Sequence, residues 1–289
     1  MKFVSKFACA AVAAYSFAGV ANASVVLNDW VFNPTGGGFA SGQVINEYLD
    51  VNGNGFIQLT ATGGTGFNFT EHAVFNITQA DSNGILFPQA YAGGNITATF
   101  TAFGTGNFSG AFTFTGGTIT MYQNPTNGQY GSTNGYFGAN LGNAIATFNV
   151  LPGGGGNVDG SGNPVSNGQI SVNAQAAAGG LDAGYFFRSN GVDLSTQDIL
   201  AFAFTNANTV GRPASRLVSE VACQFAGFTG GGCNGSNYSN VPGKHFFVGG
   251  NGQFKLASDV AEVPEPGSLA LLGLAMLGAG VVSRKRKQA

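Results

Sequence analysis

Residues 95–103 read NITATFTAF, and residues 110–122 read GAFTFTGGTITMY. In the first stretch Ile96, Ala98, Phe100 and Ala102 occupy every second position, with Thr97, Thr99 and Thr101 between them. In the second, Phe112 and Phe114 alternate with Thr113 and Thr115. Gly116-Gly117 is expected to turn the chain into a further strand carrying Ile119 and Met121. Successive side chains of an extended chain point to opposite faces, so this period of two describes strands with one buried face and one polar face.

The same pattern recurs on both sides of this region, in GFIQLTA, HAVFNIT, AIATFNV, GQISVNAQA, AGYFF, LAFAFTN and GQFKLAS. Glycine, asparagine and proline punctuate the runs. Many short strands with such turns predict an all-β, antiparallel body, a β-sandwich or jelly roll. One segment, SRLVSEVACQF, has helical spacing, with Leu217, Val221 and Phe225 four residues apart. The glycine-rich stretch LPGGGGNVDGSGNPVSNGQ (151–169) reads as an exposed loop. No fixed period repeats, and residues 24–260 are taken as one domain.

The two ends follow different rules. At the N-terminus, Lys2 and Lys6 precede an apolar run from Phe7 to Val20 and the small-residue site Ala21-Asn22-Ala23. These are the three parts of a secretory signal peptide, so residues 1–23 are expected to be removed on export. At the C-terminus, Ser268 to Val282 is apolar and uncharged, and Arg284, Lys285, Arg286 and Lys287 follow it. As a helix this run reaches about 22 Å at 1.5 Å per residue, short of a hydrocarbon core of about 30 Å. The basic cluster resists translocation and holds its end in the cytoplasm. A short transmembrane helix that stalls in the inner membrane is predicted.

Pro264-Glu265-Pro266, the short apolar helix and the basic tail stand in that order within residues 261–289. Together they resemble a PEP-CTERM sorting signal, the tag of exosortase substrates. The resemblance implies that an integral-membrane cysteine transpeptidase acts near Pro264-Glu265-Pro266. It also implies a Gram-negative source with an extracellular polysaccharide system, and only transient anchoring before the cell surface or extracellular matrix is reached.

Charged residues make up 8% of the chain, against about 25% in ordinary domains. Residues 24–262 keep five basic and 12 acidic side chains, a net charge of −7. So few cations cannot neutralise a phosphate backbone, which argues against nucleic acid as a partner. Once Cys9 leaves with the signal peptide, Cys223 and Cys233 are the remaining cysteines. In an exported protein this pair is expected to form a disulfide around a glycine-rich loop.

Little in the body carries reaction chemistry. His72 and His245 are far apart in sequence and fit no H-E-x-x-H or H-x-H spacing; there is neither a G-x-S-x-G elbow nor a P-loop. A glycosidase needs only two carboxylates about 5–10 Å apart, and sequence leaves a pair such as Glu47 and Glu71 open. Asp50, Asn52, Asn54 and Gly55 match the first half of a calcium loop, but Ala61 stands where the bidentate glutamate belongs. The competing reading is a hairpin turn at Asn52-Gly53 or Asn54-Gly55, which these residues favour. Tyr122, Tyr130 and Tyr136, in an amide-rich stretch from 120 to 138, offer aromatic faces of the kind a sugar-binding surface uses, but the composition favours an ordinary long loop rich in turn residues.

Three body segments, DWVFNP…GGGFASGQVINEYLDVNGNGFIQLT, FTEHAVFNITQAD and NITATFTAFGTG, are similar to flocculation-associated PEP-CTERM proteins. That likeness implies a non-enzymatic surface or matrix protein that promotes exopolysaccharide-associated aggregation, as in flocs and biofilms. Exopolysaccharide or other matrix glycans are then its expected partners. The alternative is a secreted carbohydrate-binding module or glycoside-acting enzyme.

Overall fold

The computed structural model describes residues 25–258 apart from 83–84, 89–94, 125–129, 132–134 and 166. The signal peptide and the sorting segment with its short helix therefore lie outside the described residues. The first strands in chain order are β1 (Val25–Val26), β2 (Trp30–Phe32), β3 (Gln43–Ile45), β4 (Tyr48–Gly63) and β5 (Gly66–Ser82). Next come β6 (Ile85–Pro88), β7 (Asn95–Asn107), β8 (Ala111–Asn124), β9 (Asn143–Val150) and β10 (Gly155–Asn157). The series ends with β11 (Gln169–Ala176), β12 (Phe186–Phe187), β13 (Ile199–Val210) and β14 (His245–Ser258).

The main sheet closes on itself. β4 pairs with β5, β5 with β7, β7 with β8, and β8 with both β9 and β10. Those two pair with β11, which pairs with β13, and β13 pairs with β14, every pairing antiparallel. β14 then pairs back onto β4 from His245↔Gln58 to Lys255↔Tyr48. Because β9 and β10 share one place in the wall, the result is an up-and-down barrel with eight strand positions.

The all-β, antiparallel expectation stands, but the sandwich or jelly roll is corrected to a closed barrel. Alternation along a strand is the same whether the apolar face meets a second sheet or the inside of a barrel. Closure also leaves the barrel wall without free edges.

Several expected turns are instead the interiors of long strands. β4 runs through Asn52-Gly53 and Asn54-Gly55 without a hairpin. Gly53 is there because the Phe75 ring and the Val74 carbonyl occupy the space a Cβ would need. Gly116-Gly117 likewise lies within β8, where the register against β7 shifts between Phe103 and Gly104. The extra residue makes a β-bulge, and a Cβ on Gly117 (φ 150°) would strike the backbone of β7. The 151–169 stretch is also only partly loop, since it contributes β10 to the barrel wall.

Inside, Val51, Ile57, Phe69, Phe100, Phe114, Val172 and Val248 form part of one continuous core. A small second sheet, ordered β12-β2-β3, joins that core through Trp30, Phe32 and Phe186. Trp30 and Phe186 stack with ring centroids 6.3 Å apart, and Phe32 packs 5.1 Å from Phe186.

A separate cluster forms around Phe56, Val74 and Phe247, whose side chains sit on the opposite face of the wall from the core. The predicted helix covers it, beginning as Ser215–Leu217 and continuing as a π-helix over Val218–Phe225. Leu217, Val218, Val221 and Ala222 are its buried contacts. Cys223, near the end of this helix, pairs with Cys233 in the loop that follows, their Cα atoms 5.5 Å apart.

Candidate functional site

The register of the barrel assembles a polar groove on its outer wall. Leu49 and Val51 are buried, so Asp50 between them faces outward, and the same alternation turns Gln253, Phe204 and Ser171 outward on β14, β13 and β11. These residues lie in one row: Asp50 opposite Gln253, Gln253 opposite Phe204, Phe204 opposite Ser171, and Ser171 opposite Gly155. The next row is Asn52, Asn251, Asn206 and Gln169. Apart from Asn52, the residues of both rows line a cleft of about 550 Å³. Asn206, Asn251, Gln169 and Phe204 are exposed, and Phe204 is 50% accessible. Burial, followed by the nearby Asp81 charge, raises the Asp50 carboxyl above its ordinary range. This cleft combines amide donors and acceptors, one apolar ring and one carboxyl group.

A second feature lies inside the barrel. A cavity of about 80 Å³ is walled by glycine, alanine and larger apolar side chains, among them Gly55, Ala73, Ala98 and Phe100. Glu71 lines it and is 8% exposed. Its Oε1 rests over Gly55, 3.0 Å from where a Cβ would stand. Burial alone pushes its carboxyl up to about 7. An acid held near neutrality in an apolar chamber can exchange a proton there, but nothing comparable flanks it.

Glu47, the other half of the suggested acid pair, forms an ion pair with Lys255. Glu71 stands opposite Ile57, ten residues along β4 from Glu47. At about 3.3 Å per residue the two carboxylates are about 30 Å apart, too far to flank one glycosidic bond. Other acids are used in turns. Asp159 accepts the N–H groups of Ser161 and Asn163, and Asp193 accepts those of Ser195 and Gly184.

Asp50, Asn52 and Asn54 share the outer face of β4 at alternate positions, about 6.7 Å apart along the strand. The bend that would gather them around one calcium ion is not formed. No group of three or more His, Cys, Asp or Glu able to hold a metal occurs among the described residues.

In the tyrosine-rich stretch, Tyr130 and Tyr136 pack against the body. Tyr136 stacks on Phe225 at 4.2 Å, and the Tyr130 hydroxyl donates to the Val74 carbonyl. Tyr136 thus packs against the outer helix, and Tyr130 ties its loop to β5. Sequence reasoning missed Phe204, because in LAFAFTN Leu200, Phe202 and Phe204 share one face that reads as the buried side, whereas the structure buries Ala201 and exposes Phe204. Two of its amide neighbours, Asn251 and Gln169, come from other strands.

Among the described residues no helix is long and apolar enough to cross a membrane. The barrel wall shows an apolar interior and an outer face rich in Asn, Gln and Thr, the inverse of a lipid-facing barrel. No curated protein and no solved structure matches the chain. Residues 262–287, however, match the PEP-CTERM protein-sorting motif, spanning Pro264-Glu265-Pro266, the apolar run and Arg284 to Lys287. The motif implies export, transient membrane anchoring and processing by an exosortase, and on that ground the chain carries a PEP-CTERM sorting signal.

Proposed function

We propose that this is a non-enzymatic surface or matrix protein that promotes aggregation of cells with extracellular polysaccharide. The observation that carries the reading is a PEP-CTERM motif joined to a barrel with a sparsely charged, hydrogen-bonding outer wall. Such a body presents amides and hydroxyls to hydroxyl-rich polymers, and its low charge limits salt-dependent attraction to other surfaces.

Deleting the gene is expected to reduce floc or biofilm formation, and restoring the full chain to recover it. Unchanged aggregation after deletion overturns the proposal. The enzymatic alternative loses support from the separation of Glu47 and Glu71. Release of sugar from a host polysaccharide by the purified exported protein would restore it.

A further inference from the structure

We infer that the outer cleft around Phe204 is a binding site for a neutral oligosaccharide chain, an inference that rests on the matrix reading above and names the surface it would use.

The strongest support is the arrangement of the two rows. Sugar rings offer an apolar C–H face and a rim of hydroxyls that both donate and accept hydrogen bonds. The cleft matches both features. Phe204 exposes half of its surface, flanked by the exposed amides of Asn206, Asn251 and Gln169. Asn206 beside it, Asn251 across β14 and Gln169 across β11 present primary amides, each able to donate and accept. These three are exposed, so a ligand would meet groups already at the surface. Gln253 is more restrained, since it hydrogen-bonds to the Tyr48 side chain.

Size and charge narrow the ligand. The cleft volume of about 550 Å³ falls in the range of small-molecule sites. The Asp50 row crosses five neighbouring strands, from β4 to β10. Four inter-strand gaps of about 4.8 Å make this about 19 Å, the reach of a short chain rather than one sugar. Asp50 is the charged group of the lining, and residues 24–262 carry a net charge of −7. An anionic polymer is therefore disfavoured at this face. Lys255, on the same outer face of β14, is held by Glu47.

The test is isothermal titration of the exported protein, purified from producing cells, with cellohexaose, laminarihexaose and mannohexaose. A hyaluronan hexasaccharide serves as the anionic probe. Saturable binding of at least one neutral hexasaccharide is expected, and it should exceed binding of hyaluronan. Phe204→Ala is expected to weaken it at least tenfold, whereas Phe103→Ala, at another exposed ring, changes it less than twofold. Gln169→Ala provides a second variant on a surface side chain, expected to weaken binding severalfold, and circular dichroism confirms folding of each.

No binding of any neutral probe, stronger binding of hyaluronan, or equal loss from Phe103→Ala overturns the inference. So does concentration-dependent self-association that Phe204→Ala abolishes without sugar, since the face would then join two copies. The floc phenotype is a separate readout: binding without a phenotype defeats the matrix role and leaves the site intact, and a phenotype without binding does the reverse.

Discussion

Glu71 links burial to pH-dependent stability. Its carboxyl is raised from 4.5 to about 7 by desolvation, so between these values the folded protein binds a proton that the unfolded chain has released. Stability from this group is fully present below about pH 4.5 and is lost as pH rises through about 7. The shift corresponds to about 3 kcal/mol. His72 and His245 act in the opposite sense. Burial lowers both, with Lys244 adding to the effect at His245, so their contribution is lost as pH falls. Comparison with Glu71→Gln isolates the carboxyl. In urea unfolding, the variant is expected to match wild type near pH 4 and to be about 3 kcal/mol more stable at pH 8. Equal stabilities at pH 8 would show that Glu71 is hydrated or paired. Gly53 is a second single-residue test. Gly53→Ala forces a methyl into Phe75 and should cost about 1–3 kcal/mol. Gly211→Ala, whose methyl meets nothing, should leave the melting temperature nearly unchanged.

Among the elements, the helix over Ser215–Phe225 and the loop after it were partly legible. Leu217, Val221 and Phe225 were identified as one face from their spacing of four. In the structure Leu217 and Val221 are buried and Phe225 packs on Tyr136 and His72. The π winding was not legible, because it depends on what the helix covers. The Ala226 N–H reaches back five residues to the Val221 carbonyl, and four-residue spacing alone does not distinguish this from an α-turn. The disulfide closes a short loop with a sequence separation of 10. Replacing both cysteines by serine should cost about 2–3 kcal/mol in chemical denaturation. The far-UV β-sheet spectrum should persist, since Cys223 and Cys233 lie outside the barrel wall. Loss of that spectrum would mean that the outer cluster holds the barrel together.

For the whole molecule, the sorting signal decides where the barrel works. Deleting residues 263–289 should release the body into the medium, and intact mass should show a chain that begins at Ser24. On the full-length protein, mass should also show loss of the C-terminal segment near Pro264-Glu265-Pro266. A surface-attached chain that keeps Arg284 to Lys287 would mean permanent anchoring. Sequence alone determined the C-terminal sorting signal and the antiparallel β character, because both are written in local order: charge beside an apolar run after Pro264-Glu265-Pro266, and a period of two. Tertiary structure decided closure and site. Whether an apolar face meets a second sheet or curls into a barrel depends on β14 reaching β4, nearly the whole body away in sequence. Phe204 likewise gains its amide neighbours only when β4, β14, β13 and β11 align, and interior glycines that resemble turns stay in strands because rings and backbone from adjoining strands need their space.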